Sequence, residues 1–436
     1  MAAFKRLFVL TLLTLLLTPP GRAQDSKPAG QVKVAGVVSV YHFNSHADMI
    51  VGRTLRGYSL LDKDPRPSLQ LMSLFTDQVP STDLSVAASK KYGFPIFKTV
   101  TETLTLGGDR LAVDGVLLVA EHGNYPKSDT GGKQYPKRRL FTEMATVMEK
   151  SGRSVPVFCD KHLADNWKDA KWIYDRAKEL KVPMMAGSSI STTWREPATD
   201  VKRGAKLKEI VGVCFGGMDS YGFHGLEMLQ AFVERRAGGE TGVSSVLCLT
   251  DEAVWEAART SKPKALSTED LASGKAARTE LYDQELLDKT LATLQHPRLR
   301  GRTLQKAVRA PILFVVNYRD GLRANLLILN GAVAEWAAAW RYEDGSVDAT
   351  AIAHMDGRPY HHFTHLVKGI EKMMHTGKPT WPVERTLITS GVLDALLISH
   401  RDDSRLVETP YLDVKYQSGW NWKQHPKLPM NPRDAR

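Results

Sequence analysis

Short apolar runs alternate with helix-like segments through the first half of the chain, and each run is too brief for a buried helix. These runs cover residues 32–41, 69–75, 113–120, 156–159 and 182–186. The segments between them repeat apolar residues at intervals of three and four, most clearly over residues 163–180. Strands buried on both faces, alternating with helices, predict an α/β fold with a Rossmann-like, doubly wound parallel sheet.

The pattern changes after about residue 196. A turn dipeptide, Asp320-Gly321, separates two strand patterns of this half. Residues 251–300 are polar and helical, and they predict an insertion or lid. We expect a C-terminal α/β domain with an open, mostly antiparallel sheet and helices packed on one face. The length of the chain predicts two domains or three, and the change of pattern predicts one domain at 32–195 and a second at 196–420. The strand patterns of this half cover residues 206–215, 243–249, 312–318, 325–329 and 336–342.

The N-terminus has the layout of a secretory signal peptide. Lys5 and Arg6 precede an uncharged, largely apolar run at 7–17, and Gly21-Arg22-Ala23 fits a small-residue cleavage site. We predict removal of residues 1–23, export by the general secretion route to a periplasmic or extracellular location, and no stable membrane insertion afterwards. An uncleaved membrane anchor is the alternative interpretation.

The charge balance does not indicate nucleic-acid binding. The formal net charge is +11 over 436 residues, and the signal segment carries three of the positive charges. The rest is dispersed, and the short basic cluster Lys137-Arg138-Arg139 is interpreted as a solvated face. Three cysteines cannot build a disulfide framework, and their odd number leaves at least one thiol free.

Ligands of doubly wound sheets bind beyond the carboxyl ends of the strands, so the residues there are the first candidates. The first strand leads into a loop with His42, Asn44 and Ser45, where a dinucleotide-binding domain has G-x-G-x-x-G. These side chains can hydrogen-bond an anion but crowd the space of a diphosphate, so a loop without a ligand is the alternative. Asp77 ends the second strand and either binds the hydroxyls of a ribose or caps the next helix.

Two further strand and helix ends carry acid–base groups. Lys161 follows the fourth strand, where it can donate a proton to a substrate oxygen or pair with an anion. Because a cation is unfavourable at a helix N-terminus, a functional role is favoured over a surface one. His224 begins a helix with Glu227 on the same face, and it can act as a general base. A core histidine is the alternative.

A histidine cluster lies at His354, His361, His362 and His365. The pair His361 and His365 has the i, i+4 spacing that can bind zinc on a helix. The glutamate of the zincin motif is absent, and Pro359 opposes a helix before residue 361. We therefore predict no metal site, with zinc binding by this cluster left open as the weaker alternative.

The order of these motifs resembles the Gfo/Idh/MocA family, the glucose–fructose oxidoreductase and inositol dehydrogenase group. Residues 157–162 resemble the family's Glu-Lys-Pro segment, and residues 182–187 resemble the glycine-ended strand that follows it. Residues 222–227 resemble its Gly-x-His-x-x-Asp helix, and Gly377-Lys378-Pro379 resembles part of its C-terminal helices. The resemblance covers about residues 32–416, and it implies a Rossmann domain joined to an α/β domain with an open sheet.

The resemblance also implies roles for individual residues. Lys161 matches the lysine that polarises a substrate hydroxyl, and His224 matches the histidine that takes or gives its proton. Asp219 lies one position from the family's aspartate, which is Ser220 here, and Asp77 matches the acid at the adenosine ribose. The implied reaction uses NAD or NADP for oxidation or reduction of a sugar or cyclitol, or for transient oxidation during glycoside cleavage.

The departures from the family concentrate where a dinucleotide would lie. The glycine-rich loop is missing, and residues 120–124 replace the family's Thr-Pro-Asn. Two functions stay open: an exported oxidoreductase acting on a sugar, cyclitol or glycoside with altered NAD(P) binding, and a non-redox carbohydrate-binding protein, lyase or hydrolase. The expected partner is a small carbohydrate, and a homo-oligomer through the open sheet is implied by analogy alone. The candidate cofactor-binding residues are His42, Asn44, Ser45, Asp77, Glu121 and His122.

Overall fold

Two sheets organise the protein in a computed structural model, which describes residues 30–62, 65–259, 279–353 and 357–426. The predicted signal segment and His354 lie outside the described residues. The first sheet contains the strands β1 (Val32–Val38), β2 (Leu69–Thr76), β3 (Gly115–Val119), β4 (Val157–Asp160) and β5 (Met184–Gly187).

The first sheet is parallel throughout, in the order β2-β1-β3-β4-β5. At the carboxyl end of β1, Val38 pairs with Thr76 on one side and Val119 on the other. The three central strands are buried on both faces along most of their length, because helices cover the sheet from both sides. The predicted Rossmann-like sheet is confirmed.

The helices of the first half lie on opposite faces of this sheet. Leu104, Leu140 and Ile173 bring α3, α4 and α5 into one apolar cluster with Val116. On the other face, Met49 and its neighbours on α1 pack with a second cluster. The helices of this half are α1 (His46–Arg56), α2 (Ser85–Tyr92), α3 (Val100–Thr105), α4 (Lys137–Ser151) and α5 (Trp167–Glu179).

The second sheet has eight strands in the order β15-β8-β11-β12-β7-β13-β14-β6. Neighbouring strands run antiparallel except β7 and β12, so the predicted mostly antiparallel sheet is confirmed. Strands β9 (Ala258–Arg259) and β10 (Tyr282–Asp283) form a separate parallel pair. The strands of the large sheet are β6 (Trp194–Glu196), β7 (Leu207–Cys214), β8 (Val243–Thr250), β11 (Ile312–Tyr318), β12 (Arg323–Ile328), β13 (Trp336–Tyr342), β14 (Val347–Ala353) and β15 (Val407–Glu408).

Helices cover both faces of the second sheet, and the expectation of helices on one face was wrong. On one face, α6 packs through Phe223 and Leu226. On the other, Leu286 and Leu287 of α8 join a cluster with Leu313 of β11. The segment interpreted as an insertion or lid therefore supplies, where it is described, a layer on the sheet. These helices are α6 (Ser220–Val233), α7 (Glu252–Glu256), α8 (Gln284–Ala292) and α9 (Leu304–Ala307).

Two C-terminal helices, α10 (His362–Thr376) and α11 (Val383–Arg401), tie the halves together. Leu366 and Ile370 of α10 pack with the α1 side of the first sheet. Helix α11 contacts α5 and β5 as well as α6 and β8. The described residues from Gln31 onward form one compact unit, so the division at residue 195 stays a prediction.

The three cysteines, Cys159, Cys214 and Cys248, are all buried and free, which agrees with the absence of a disulfide framework. Among the helices that the structure describes, none has the length and apolar character needed to cross a bilayer.

Candidate active site

A cavity of about 420 Å³ lies beyond the carboxyl ends of β3, β4 and β5, next to the starts of α1, α6 and α10. The predicted catalytic residues Lys161 and His224 line it together, although 63 residues separate them in the chain. Of the predicted cofactor-binding residues, Asn44 and His122 also line it. The structure thus brings the two main acid–base candidates into one pocket.

Lys161 follows β4 with its backbone in the left-handed region, at φ 53°. A lysine adopts that conformation only where its surroundings impose it. Its side chain is 7% exposed, and its Nζ lies 3.1 Å from Oε2 of Glu121. The residue is therefore a nearly buried cation held by a buried carboxylate rather than a surface lysine.

Glu121 follows β3 and lies between two lysines. Its Oε1 accepts a hydrogen bond from Nζ of Lys137 at 2.7 Å, while its Oε2 pairs with Lys161. Burial by itself would raise the pKa of Glu121, but the charges of Lys137 and Lys161 lower it well below its usual value. Glu121, predicted to bind a cofactor, is placed behind Lys161 and supports it.

Lys137 does not belong to a solvated face, and the interpretation of Lys137-Arg138-Arg139 as one is wrong for this residue. Lys137 is fully buried, and its Nζ also donates to the carbonyl oxygens of Asp160 at 2.7 Å and His162 at 2.6 Å. A lysine at the start of a predicted helix was the signal for this role. Lys137 begins α4, and a cation is unfavourable at a helix N-terminus. The same argument favours a functional role for Lys161.

His224 lies in the first turns of α6, where its Nδ1 is 2.6 Å from Oγ of Ser188. That contact leaves Nε2 as the ring nitrogen available to a ligand in the cavity. Burial lowers the pKa of His224 well below its ordinary value, and the charge of Lys161 lowers it further. The imidazole is therefore neutral near pH 7 and can accept a proton.

Glu227 does not pair with His224, although the two share one helix. Its carboxylate accepts hydrogen bonds from Thr386 at 3.0 Å and Thr389 at 2.9 Å, both on α11. Burial raises the pKa of Glu227 to about 7. A side chain at Gly187, whose φ is 124°, would clash with this carboxylate. Glu227 therefore joins α6 to α11 beneath the site.

A His–Asp pair in the cavity also escaped the sequence analysis. His46, the first residue of α1, lines the cavity, and its Nδ1 lies 2.6 Å from Oδ2 of Asp160. Asp160 ends β4 and is 1% exposed. The rings of His46 and His224 have centroids 6.4 Å apart, so two imidazoles can reach neighbouring atoms of one ligand. The two residues of the pair are 114 positions apart, which no local spacing reveals.

His122 and His42 lie on the α1 side of the cavity. His122 lines the cavity in the left-handed region, at φ 67°, with its ring centroid 5.1 Å from that of His46. Burial lowers the pKa of His122 to about 3. The His42 ring packs edge-on against His122 at 5.7 Å, and its Nδ1 contacts the carbonyl oxygen of Phe43. Of these two predicted cofactor-binding residues, only His122 lines the cavity.

Asp219 lies immediately before α6, behind the cavity wall. Its Oδ2 accepts from the backbone N–H of Lys133 at 3.1 Å, and its Oδ1 is 4.0 Å from Nε2 of His162. Burial raises the pKa of Asp219. Burial also lowers the pKa of His162 to about 3, so that ring is neutral. The predicted catalytic aspartate therefore lies next to the Lys137–Glu121 group, and its neighbour Ser220 lines the cavity.

Aromatic side chains form the opposite wall. The rings of Tyr221 and Trp336 are stacked, with centroids 5.9 Å apart and planes 10° from parallel. Phe215, Tyr360 and Phe363 also line the cavity. A concave site with an apolar wall and a few convergent polar groups is typical of small-molecule binding.

The histidine cluster near α10 is dispersed. His362 lines the cavity, whereas the His365 ring packs against Trp194 at 4.5 Å and His425 at 3.8 Å. His361 precedes α10 at its N-cap. Within the described residues, no group of three or more His, Cys, Asp or Glu side chains is arranged to hold a metal ion.

The loop after β1 lies where a dinucleotide-binding domain holds a diphosphate. Ser45 caps α1, because its Oγ accepts from the backbone N–H of Asp48 at 3.2 Å. Asn44, at φ 61°, donates its backbone N–H to Oδ2 of Asp48 at 3.1 Å. The backbone N–H groups of Asn44, Ser45 and Asp48, which could face a phosphate, are here bound within the chain.

Asp77 ends β2 where an acid would bind the adenosine ribose. Its Oδ2 accepts from the hydroxyl of Tyr125 at 2.7 Å, and its Oδ1 pairs with Arg139. Each oxygen of the Asp77 carboxylate thus has a partner within the chain. At both places the side chains that NAD or NADP would meet therefore have partners within the chain, whereas the cavity at Lys161 and His224 remains open.

Comparison with known proteins gives a match in fold without a match in sequence. No protein-family model matches the chain, and no curated protein matches its sequence. The structure of GenD2 from gentamicin A biosynthesis, in complex with NAD, is similar to this chain with a TM-score of 0.52 and 13% identity. The match covers 90% of this chain and 99% of that one.

Two further solved structures match at a similar level. A probable dehydrogenase from Thermotoga maritima has a TM-score of 0.50 and 13% identity, over 87% of this chain and 100% of its own. An apo scyllo-inositol dehydrogenase from Lactobacillus casei has a TM-score of 0.50 and 10% identity. That match covers 87% of this chain and 98% of the dehydrogenase. Identities this low show the fold alone, and the fold implied by the family resemblance is confirmed.

Proposed function

We propose that the protein is an exported enzyme on an oxidoreductase fold that acts on a hydroxyl of a sugar, cyclitol or glycoside, with its dinucleotide site altered. The observation that carries the proposal is the presence of Lys161 and His224 in one cavity with an aromatic wall. The dehydrogenases of similar fold, one of them named for scyllo-inositol, support a small polyhydroxylated substrate.

The chain's own residues supply a proton transfer. The Lys161 cation donates a hydrogen bond to the substrate oxygen and stabilises negative charge there. Neutral His224 accepts the hydroxyl proton at Nε2, so the O–H bond breaks, an N–H bond forms, and the imidazolium is held through Nδ1 by Ser188. Glu121 fixes the lysine by an ion pair. NAD or NADP would supply hydride acceptance if it bound, but the residues at its place do not fit it.

A redox-neutral reaction is the second candidate, and the occupied carboxylate of Asp77 favours it. The alkoxide formed at the pocket can attack a neighbouring carbon, so that a new C–O bond forms, the bond from that carbon to its leaving group breaks, and no electron acceptor is needed. His46, oriented by Asp160 and beside His224, can give that group its proton. A lyase or hydrolase, or a carbohydrate-binding protein, would use the same cavity.

Export rests on the signal-like N-terminus, with its positive residues, apolar run and small-residue cleavage site. N-terminal sequencing of the protein after secretion should begin at Gln24. A protein retained in the cytoplasm with Lys5 and Arg6 intact would contradict this part of the proposal.

The function is tested by replacing the lysine. We expect Lys161→Ala to lower turnover of sugars, cyclitols or glycosides by roughly 10²-fold or more, since it removes the cation at the reacting oxygen. Products are followed by NMR across a substrate panel, with and without NAD(P). The matched control is Lys168→Ala, an exposed lysine on α5. Equal turnover of Lys161→Ala and wild type, with both folded, would contradict the site assignment.

A further inference from the structure

At the two places where this type of fold holds a dinucleotide, side chains of this chain are bound to one another. Two places matter: the start of α1, where a diphosphate lies, and the end of β2, where a ribose lies. We infer that internal carboxylate contacts hold both places shut, so that the protein binds neither NAD nor NADP.

At the start of α1, the anion is a residue of the helix itself. Asp48 lies in the first turn and is fully buried. Its Oδ2 accepts from Nη1 of Arg358 at 2.6 Å and from the backbone N–H of Asn44, and its Oδ1 pairs with Arg56. A helix N-terminus attracts anions through its free N–H groups and its dipole. The Asp48 carboxylate takes this place as the anion of the helix start, and Arg56 and Arg358 are bound to it.

A segment of the second half lies over this helix start. Arg358 also donates to Oδ1 of Asn44 at 2.9 Å, and its guanidinium lies 4.6 Å from the ring centre of Phe43. Arg53, fully buried in α1, donates to the carbonyl oxygens of Tyr360 at 2.9 Å and of Pro359. Backbone and side chains of this segment thus cover the place of the diphosphate.

At the end of β2, the loop after β3 closes the ribose position. The Tyr125 hydroxyl and the Arg139 guanidinium occupy the carboxylate of Asp77. Beside it, the Gln78 amide donates to the carbonyl oxygen of Asn124 at 3.0 Å and accepts from its N–H at 2.8 Å. Three hydrogen bonds of Tyr125 and Gln78 therefore join the end of β2 to the loop after β3 across the adenosine position.

The inference goes beyond the proposed function, since it decides between its two candidates. The cavity at Lys161 and His224 borders the start of α1 through Asn44 and His46, and it stays open to a sugar-sized ligand. Without a dinucleotide, that pocket is left with the proton transfers of its own residues. A redox-neutral reaction, in which bonds rearrange without an external electron acceptor, follows from the closed cleft.

The experiment is a direct search for dinucleotide in the full chain. Freshly purified protein is denatured and its supernatant is analysed by mass spectrometry, and the native protein is titrated calorimetrically with NAD, NADH, NADP and NADPH to about 1 mM. We expect no co-purified dinucleotide and no saturable heat. A dinucleotide released on denaturation, or one-to-one saturation within this range, would overturn the inference.

A second measurement tests the contact that closes the cleft. We expect Arg358→Met to lower the melting temperature by several degrees, since it removes a cation from fully buried Asp48. Arg401→Met is the matched control, because Arg401 is 39% exposed and pairs with exposed Asp129, and it should melt like the wild type. An Arg358→Met variant as stable as this control would also overturn the inference. Neither the dinucleotide titration nor the Arg358→Met melting temperature depends on Lys161. The proposed function is tested separately, by the turnover of Lys161→Ala.

Discussion

At the residue scale, the site depends on charges that are buried in pairs. Glu121 is shared by Lys137 and Lys161, and Asp160 orients His46. A buried charge without its partner is strongly destabilising, so each of these residues constrains the next. The pocket therefore keeps a fixed cation and a fixed imidazole before any ligand arrives, as acid–base catalysis requires.

Replacement of Asp160 tests the His–Asp pair. We expect Asp160→Asn to lower turnover by roughly 10²-fold, because the neutral amide no longer stabilises an imidazolium at His46. Steady-state kinetics should place the loss in kcat rather than KM. His42→Gln is the control, since His42 lies in the loop that leads to His46 but does not line the cavity. A comparable loss in both variants would indicate disturbance of the loop instead.

At the scale of elements, helix α11 connects the first sheet to the second. Thr386 and Thr389 hold the carboxylate of Glu227 from α6, while the same helix contacts α5 and β5 of the first sheet. Helix α11 thus fixes α6, and with it His224, relative to the strand ends of the first sheet. The stability of the folded protein should therefore depend on the protonation of Glu227.

Glu227→Gln tests this dependence. The folded pKa of Glu227 is about 7, above the usual value of about 4.3 for an unfolded chain. The folded state therefore holds the extra proton, and wild-type stability falls as pH rises from about 4.3 to 7. Glutamine does not titrate, so the Glu227→Gln variant does not lose stability in this way. Its free energy of unfolding relative to that of the wild type should therefore rise across this window by up to about 3 kcal/mol. Urea unfolding at pH 5 and pH 8 measures it.

The control for this prediction is Glu143→Gln on α4, a glutamate that is 35% exposed. The difference in free energy of unfolding between Glu143→Gln and the wild type should be the same at both pH values. If the Glu227→Gln difference were also independent of pH, the raised pKa of Glu227 would be wrong.

At the scale of the whole molecule, the second sheet is covered on both faces. Helix α8 contacts β7 and β13 and brings Leu286 and Leu287 into the apolar cluster of this face, so the face through which the resemblance implied a homo-oligomer is covered. An apolar sheet face that is already buried offers no driving force for association with a second copy.

We therefore expect a monomer in solution. Light scattering coupled to gel filtration should give the mass of one chain, which is 48.4 kDa before any cleavage. Leu287→Ala should lower the free energy of unfolding by about 2–5 kcal/mol without changing that mass, since it opens a cavity under α8. A dimer that dissociates in Leu287→Ala would show that this face is an interface.

Much of the architecture was predictable, because it depends on local pattern. The valine-rich runs around Val34 and Val116 indicated buried parallel strands, and their alternation with helices indicated the order of layers. Lys161 and His224 were also predictable, since they occupy strand and helix ends where ligands bind. The coverage of the second sheet by α8 was not, because a polar helical segment does not indicate which surface it will cover.

The sequence by itself determined which residue types stand at the ends of the strands. Only the tertiary structure decided their partners: His46 with Asp160, Glu121 with Lys137, and Asp48 with Arg358, which is 310 positions away. The physical reason is that ion pairs and hydrogen bonds depend on distances of a few ångströms. Those distances are set by strand order and helix packing across the whole chain, and spacing along the sequence does not contain them.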